Sequence, residues 1–180
     1  MMFPVKPKLP WDYKKRLLEF VKPNTNLLIM GIEDEKFTLS LDHDFAFTAV
    51  TADKRRDFAK LLERYGVCVK EESTKLDFGD ETFDLVLNYH SPYDANEVKR
   101  VLKKGGHFIT EQIGSRDREE IRVDKPSIEA DYNLENKSAE LKSLGFKTVY
   151  TNQAYPRVHE CGYLEDCHYH RFIIVAKKMK

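Results

Sequence analysis

Short apolar segments alternate with helix-like segments along most of this chain, and this alternation constrains the fold more than any other feature. Apolar runs of strand length occupy residues 27–30, 45–50, 67–69, 83–87 and 107–113. Stretches with helical spacing of apolar residues lie at 11–21, 53–65, 94–104 and 134–144. Strands separated by helices pair in parallel through right-handed crossovers. The sequence therefore predicts an open, mostly parallel α/β sheet with helices on both faces.

The end of the chain departs from this pattern. Two further strands are predicted at residues 146–151 and 170–176, and residues 154–167 between them contain no convincing helical pattern. Without a crossover helix, consecutive strands pair in antiparallel fashion. We therefore expect an antiparallel C-terminal hairpin at one side of the sheet, within a single domain that spans residues 1–180.

Composition argues against several functional classes. The 30 Lys and Arg residues balance 30 Asp and Glu residues, whereas a dedicated nucleic-acid-binding protein usually has a basic excess. No apolar run is long enough to span a bilayer. Pro4 and Pro7 lie where a signal peptide would have its apolar helix. The 3 cysteines cannot all pair within one chain, which is typical of a reduced, cytoplasmic protein.

Two consecutive segments carry a family resemblance. Residues 83–87 read Phe-Asp-Leu-Val-Leu, and residues 100–106 read Arg-Val-Leu-Lys-Lys-Gly-Gly before the next predicted strand. This block resembles class I S-adenosylmethionine-dependent methyltransferases, which have Phe-Asp-Leu-Val in strand four and Arg-Val-Leu-Lys-Pro-Gly-Gly before strand five. The similarity extends over residues 12–178 and implies a Rossmann-like sheet. Lys104 replaces the proline, and Gly105 and Gly106 are predicted to end the helix.

The resemblance implies an S-adenosylmethionine site after the first strand, where the family has an acidic residue followed by Gly-x-Gly-x-Gly. In this chain Ile29 stands at the acidic position and Gly31 is the first glycine. Glu33 and Glu35 replace the other two glycines. Carboxylates at these positions add side-chain volume and negative charge beside the place of the cofactor's own carboxylate. The motif therefore stands at the expected position in the sequence, but two of its three glycines are replaced by acidic residues.

Three further cofactor contacts are implied by the same resemblance. Thr51 stands at the end of strand two, where the family has the acid that binds the ribose hydroxyls, and Asp53 follows two residues later. Glu72 stands near the end of strand three, on the side of the adenine, and Asn88 follows strand four. The cofactor-binding set implied for this chain is therefore Gly31, Thr51, Glu72 and Asn88.

The loop after strand four is the candidate substrate side. Ligands of open α/β sheets bind outside the carboxyl ends of the strands, which is where residues 88–93 are expected. His90 is a candidate general base and Tyr93 a candidate pocket wall, although the segment does not match the Asn-Pro-Pro-Tyr of amine-methylating members. The alternative is a turn that ends the strand and starts the next helix, with Asp94 as its cap.

Histidine and cysteine residues are densest near the C-terminus. His159, Cys161, Cys167 and His168 have side chains that zinc accepts, and a metal ion would hold a connection that lacks regular structure. Their spacing matches no standard zinc finger. Ordinary loop residues are therefore the alternative to a structural metal site.

Three functional hypotheses follow. The first is an S-adenosylmethionine-dependent methyltransferase that acts on a small molecule, without dedicated nucleic-acid binding. The second is a methyltransferase fold kept as a catalytically inactive binding or scaffold protein, with a homodimer as one form. The third is a dinucleotide-dependent oxidoreductase, which shares the sheet type but requires a glycine fingerprint that this sequence lacks. Since fold does not establish function, the choice among these three hypotheses depends on the geometry of the cofactor-binding and substrate-side residues.

Overall fold

A mixed seven-stranded sheet forms the centre of the molecule. The computed structural model describes residues 8–31, 47–52, 55, 57–114, 133–155, 157–158, 167–168 and 170–180, with the backbone alone for residues 47, 157–158 and 167–168. The strands are β1 (Asn26–Met30), β2 (Phe47–Ala52), β3 (Cys68–Glu71), β4 (Phe83–Tyr89), β5 (Leu102–Ile113), β6 (Phe146–Ala154), β7 (Arg157–Val158), β8 (Cys167–His168) and β9 (Arg171–Lys178).

The strand order of the main sheet is β3-β2-β1-β4-β5-β9-β6. The first five strands along the chain pair in parallel, and β9 runs antiparallel to both β5 and β6. The predicted α/β sheet with an antiparallel C-terminal hairpin is thus confirmed. Strands β7 and β8 form a separate antiparallel ribbon, which the sequence did not predict because each strand has only 2 residues.

Four helices flank the sheet in the described part of the chain: α1 (Tyr13–Leu18), α2 (Asp57–Arg64), α3 (Ala95–Val101) and α4 (Leu134–Ser143). Asp12 caps α1 by accepting a hydrogen bond from the Lys15 amide at 3.0 Å. This cap explains why the helix begins after the predicted position of residue 11. Asp94 caps α3 in the same way, by accepting from the Asn96 amide at 2.8 Å.

The sheet is buried on both faces, as expected for parallel strands covered by helices. Helices α1 and α2 cover one face with Leu17, Phe58 and Leu62, whereas α3 and α4 cover the other with Val98 and Leu141. These side chains are all buried. No helix among the described residues is long and apolar enough to cross a bilayer.

The double glycine occupies a different place from the one predicted. Helix α3 ends at Val101, and Gly105 and Gly106 lie inside the long strand β5. Leu102 is paired with Phe83 and His107 with Leu85, so residues 103–106 bulge out of the ladder opposite one residue of β4. A Cβ atom on Gly106 would lie 2.9 Å from a backbone oxygen of β4, so this glycine permits a tight bulge and does not end the helix.

Arg100 holds the crossover between β3 and β4. Its Nη1 donates to the Phe78 carbonyl at 2.7 Å and to Asp80 at 2.8 Å, and its Nη2 donates to the Leu76 carbonyl at 2.8 Å. Its Nε donates to Glu97 Oε1 at 2.8 Å. The hydrogen bonds from Arg100 are the largest cause that lowers the pKa of Glu97 from 4.5 to about 2.

We expect the free energy of unfolding to fall when the pH drops from 4.5 to about 2, the range between the unfolded and folded pKa values of Glu97. The carboxylate is favoured in the folded state, so its stabilisation is complete above pH 4.5 and is lost as the pH falls toward about 2. Urea denaturation from about pH 6 to about pH 2 would measure this dependence. Glu97→Gln should flatten it.

Glu140→Gln is the matched control, because Glu140 also pairs with a cation of its own helix, Lys137 at 3.0 Å, but its side chain is 40% exposed against 19% for Glu97. This variant should keep the wild-type pH dependence. If Glu97→Gln and wild type lose the same stability on acidification, Glu97 is not the group responsible.

Candidate functional site

The carboxyl ends of the parallel strands form the edge at which ligands of this fold class bind. Gly31, Glu72 and His90 directly follow β1, β3 and β4, and Asn88 is the next-to-last residue of β4. The structure places Gly31 and Glu72 both against Ser91, in the loop after β4. This carboxyl edge is therefore the candidate functional site.

Gly31 is required by the packing of the protein itself. Its φ is +83°, a conformation that side chains disfavour, and a Cβ atom would lie 2.6 Å from the Tyr89 carbonyl oxygen and 2.9 Å from Ser91 Cβ. Its amide donates to the Thr51 carbonyl at 3.4 Å. The glycine thus allows the end of β1 to lie against the loop after β4, and its presence does not by itself indicate a cofactor.

Thr51 does not present its hydroxyl at the edge. Strand β2 continues to Ala52, so Thr51 is not the last residue of the strand. The Thr51 side chain shares a face with Ala49 and is 2% exposed, and its Oγ1 has no hydrogen-bond partner among the described residues. The alternation of the strand therefore turns this oxygen into the core, which does not support the predicted contact with a ribose.

Glu72 is joined to Ser91 across the edge. The Ser91 hydroxyl donates to Glu72 Oε1 at 2.7 Å, and the Glu72 amide donates to the Ala52 carbonyl at 3.1 Å. Because β2 and β1 lie between β3 and β4 in the sheet, this bond links the loops on either side of the two strands. The carboxylate predicted to face an adenine is thus engaged by the protein.

Asn88 is fully buried and uses its side chain internally. Its Nδ2 donates to the Ser91 carbonyl at 3.0 Å, and its Oδ1 accepts from Thr110 Oγ1 at 3.0 Å and also from Gln112 Nε2. Its backbone carbonyl accepts from the Tyr13 hydroxyl at 3.2 Å. Because the residue is fully buried, a ligand could contact the amide only if these neighbouring groups moved.

Glu111 is the main feature of this edge that the sequence did not reveal. It is 2% exposed, and its Oε2 accepts from the Trp11 indole Nε1 at 2.7 Å. Its Oε1 lies 3.3 Å from His90 Nε2. The only signal in the sequence is a carboxylate within an otherwise strand-like segment, at a position whose partner lies 100 residues away.

His90 is fixed on Glu111 through both its backbone and its ring. The His90 amide donates to the Glu111 carbonyl at 2.9 Å, and φ of His90 is +52°, which is uncommon for a residue other than glycine. The ring stacks on Tyr89 with centroids 4.2 Å apart. The predicted candidate base is therefore held by a buried carboxylate, an arrangement typical of functional histidines.

Two tyrosines complete this group. Tyr13 contacts Tyr89 edge-to-face with centroids 5.2 Å apart. Burial, followed by the Glu111 carboxylate and Tyr89, raises the pKa of Tyr13, so its hydroxyl remains a donor at neutral pH. We name these five residues the Glu111 cluster: Trp11, Tyr13, Tyr89, His90 and Glu111.

Tyr93, the second substrate-side candidate, lies apart from the Glu111 cluster. Its ring packs with the core on the face covered by α3 and α4, where it contacts Phe108 with centroids 5.0 Å apart. Lys137 Nζ of α4 lies 5.6 Å from the ring centroid. The structure thus does not bring His90 and Tyr93 together, and Asp94 caps α3 as the alternative interpretation predicts.

The predicted zinc ligands are only partly covered by the structure. His159 and Cys161 lie outside the described residues, and Cys167 and His168 are described by their backbone in β8. The described residues contain no group of three or more His, Cys, Asp or Glu side chains placed to hold a metal ion. The expectation of ordinary loop residues and the alternative of a zinc site both stay predictions.

The described residues do not fit the contacts that S-adenosylmethionine would require from them. At the family's acidic position, Ile29 lies within β1, is 3% exposed and belongs to the core. Of the other positions, Thr51 faces inward, Asn88 is buried with both amide atoms hydrogen-bonded inside the protein, and the exposed Glu72 accepts a hydrogen bond from Ser91. No mechanistic step is therefore assigned to this cofactor.

Comparison with known proteins identifies the fold. No protein-family model matches the chain, and no curated protein matches it in sequence. The structure is similar to YcgJ from Bacillus subtilis, with a TM-score of 0.73 and 12% identity over 93% of this chain and 98% of that chain. A putative methyltransferase from Bacillus halodurans C-125 gives a TM-score of 0.70 and 16% identity over 94% and 99% of the two chains.

A third solved structure agrees with these two. It is an S-adenosylmethionine-dependent methyltransferase from Methanosarcina mazei, with a TM-score of 0.65 and 17% identity over 97% of this chain and 99% of that chain. At such identities the likeness concerns the fold and not the activity. The chain therefore has the class I methyltransferase fold.

Proposed function

We propose that this chain is a methyltransferase-fold binding or scaffold protein that does not transfer methyl groups from S-adenosylmethionine. The observation that carries this proposal is the internal hydrogen bonding of Asn88 and Glu72, two of the polar residues at the family's cofactor positions. Asn88 is buried with each amide atom bonded inside the protein, and Glu72 closes the edge by its bond from Ser91.

Energetic considerations support the proposal. A ligand that took the place of an internal partner of Asn88, which is fully buried, would leave a buried donor or acceptor unsatisfied, which costs about 1–3 kcal/mol for each group. The sequence adds two obstacles, since Glu33 and Glu35 replace glycines that the family uses beside the cofactor. Their charges would repel the cofactor's carboxylate.

The Glu111 cluster supports a second candidate function, a methyltransferase acting on a small molecule. A buried carboxylate that orients a histidine is expensive to maintain in a core, and such pairs concentrate at functional sites. The positive φ of His90 is a further sign, because backbone strain also concentrates at such sites. In this candidate, His90 would take the proton of the acceptor group, oriented by Glu111 at 3.3 Å.

Calorimetric titration with S-adenosylmethionine and S-adenosylhomocysteine separates the two candidates. We expect no binding of either ligand at millimolar concentration. We also expect none for the double variant Glu33→Gly and Glu35→Gly, because the internal hydrogen bonds of Asn88 and Glu72 remain in it. Circular dichroism of each sample would verify that the variant is folded.

Either of two results would contradict the proposal. Micromolar binding by the wild-type protein would favour the methyltransferase and justify a search for its acceptor. Binding gained only by the double variant would mean that the altered loop alone prevents cofactor entry, and that the rest of the edge still accepts the ligand.

A further inference from the structure

A cavity lies at the opposite edge of the sheet from the Glu111 cluster. It has a volume of about 390 Å³ and is enclosed by the segment that joins α1 to β1 and by the bulge of β5. This volume falls within the range of roughly 300–1,000 Å³ that small-molecule sites occupy. Its lining includes Phe20, Lys22, Asp84, Lys104, Gly105 and His107.

The bulge of β5 creates the floor of this cavity. Residues 103–106 leave the ladder between Leu102 and His107, which exposes the backbone at Gly105. A Cβ atom on Gly105 would meet no atom within 4 Å, so the space above this residue is open. The amino edge therefore has a concave surface that regular strand pairing would not produce.

Three lysine side chains place positive charge at the cavity. Lys22 and Lys104 line it, and Lys177 is paired with His107 in the neighbouring strand β9. None of the three lysines forms an ion pair with a described residue. The carboxylate of Asp84, also in the lining, is occupied by Lys103 Nζ at 3.0 Å and by the Asn26 amide at 2.9 Å.

The second acid of the lining is also engaged. Glu19 pairs with Arg16 on α1 at 3.1 Å, and both side chains are partly exposed. The acids of this cavity thus have ion-pair partners, whereas the three lysines have none within the described part of the chain. Such a distribution favours a ligand that brings its own negative charge.

Two aromatic rings, which face each other at a tilt of 35°, lie beside these charges. Phe20 and His107 lie with ring centroids 4.4 Å apart, and both are half-buried. Burial, followed by the charges of Lys177 and Lys22, lowers the pKa of His107. The two lysines therefore act on the same ring that lines the cavity.

We propose that this cavity at the amino edge binds a small molecule that carries a phosphate group, with an adjacent ring against Phe20 and His107. A phosphate dianion would neutralise more of the charge of Lys22, Lys104 and Lys177 than a carboxylate, and phosphate oxygens accept strong hydrogen bonds from cations. The site is separate from the carboxyl edge, so it does not depend on whether S-adenosylmethionine binds there.

Titration of His107 by NMR tests this proposal, with phenyl phosphate as the probe. We expect phenyl phosphate to raise the pKa of His107, because a dianion beside the ring stabilises the imidazolium against Lys22 and Lys177. The spectrum of His107→Gln assigns the signal among the 6 histidines. Inorganic phosphate should shift His107 in the same direction but bind more weakly, and phenol should not raise its pKa.

The double variant Lys22→Ala and Lys104→Ala should lose about tenfold in affinity for phenyl phosphate, as expected from two lost ion pairs. Lys75→Ala with Lys142→Ala is the matched control, since it removes the same charge from exposed positions outside the cavity. It should bind like wild type. Equal losses in the two double variants, or a His107 signal unchanged by phenyl phosphate, would overturn the proposal.

Discussion

The variant Gly31→Ala should lose about 3 kcal/mol or more in free energy of unfolding. Two costs combine at this position. A φ of +83° disfavours any side chain, and the new methyl group would lie 2.6 Å from the Tyr89 carbonyl oxygen, which is backbone and cannot rotate away. Urea denaturation followed by circular dichroism would measure the loss.

Gly66→Ala is the matched control for this prediction. Its φ is +82°, and a Cβ atom there would meet no atom within 4 Å. It should therefore carry the conformational cost alone, about 1–2 kcal/mol. If the two variants lost equal stability, the close packing of Gly31 on the loop after β4 would not be the reason for the glycine.

The variant Trp11→Phe should lose about 2 kcal/mol in free energy of unfolding. The indole Nε1 donates at 2.7 Å to Glu111, and phenylalanine keeps most of the ring but has no donor. The Glu111 carboxylate would then stay buried with His90 as its remaining side-chain partner. Urea denaturation monitored by far-UV circular dichroism suits this variant, because Trp11 is the 1 tryptophan of the chain.

A double-mutant cycle with Glu111→Gln measures how much the negative charge of Glu111 contributes to the cost of Trp11→Phe. In that background Trp11→Phe removes only a neutral hydrogen bond, so its cost should fall to about 1 kcal/mol. Tyr13→Phe is a useful comparison, since it removes a neutral bond to the Asn88 carbonyl at 3.2 Å. An equal cost of Trp11→Phe in both backgrounds would show that the charge of Glu111 does not matter to the packing of Trp11.

Local features of this fold were predictable from the sequence. The cap at Asp94, which the alternative interpretation of the loop after strand four predicts from residue type and position, does form. The order of strands and helices followed from periodicity, and the antiparallel hairpin followed from the missing crossover helix. These features depend on residues a few positions apart, which is why the sequence alone reveals them.

The double glycine shows where local prediction ends. Gly105 and Gly106 satisfy the requirements of a helix end and of a strand bulge equally well, because both need residues without a side chain. Pairing with β4 decides between them, since Leu102 already lies in the ladder opposite Phe83. The cavity at the amino edge follows from that pairing.

The sequence by itself determined the fold class and located the candidate edge at Gly31, Glu72, Asn88 and His90. Only the tertiary structure decided what those residues do. Whether an amide is saturated, or a carboxylate is covered by an indole, depends on the partner that strand register places opposite it. The Trp11–Glu111 bond spans 100 residues of chain, and no periodicity within either segment contains that information.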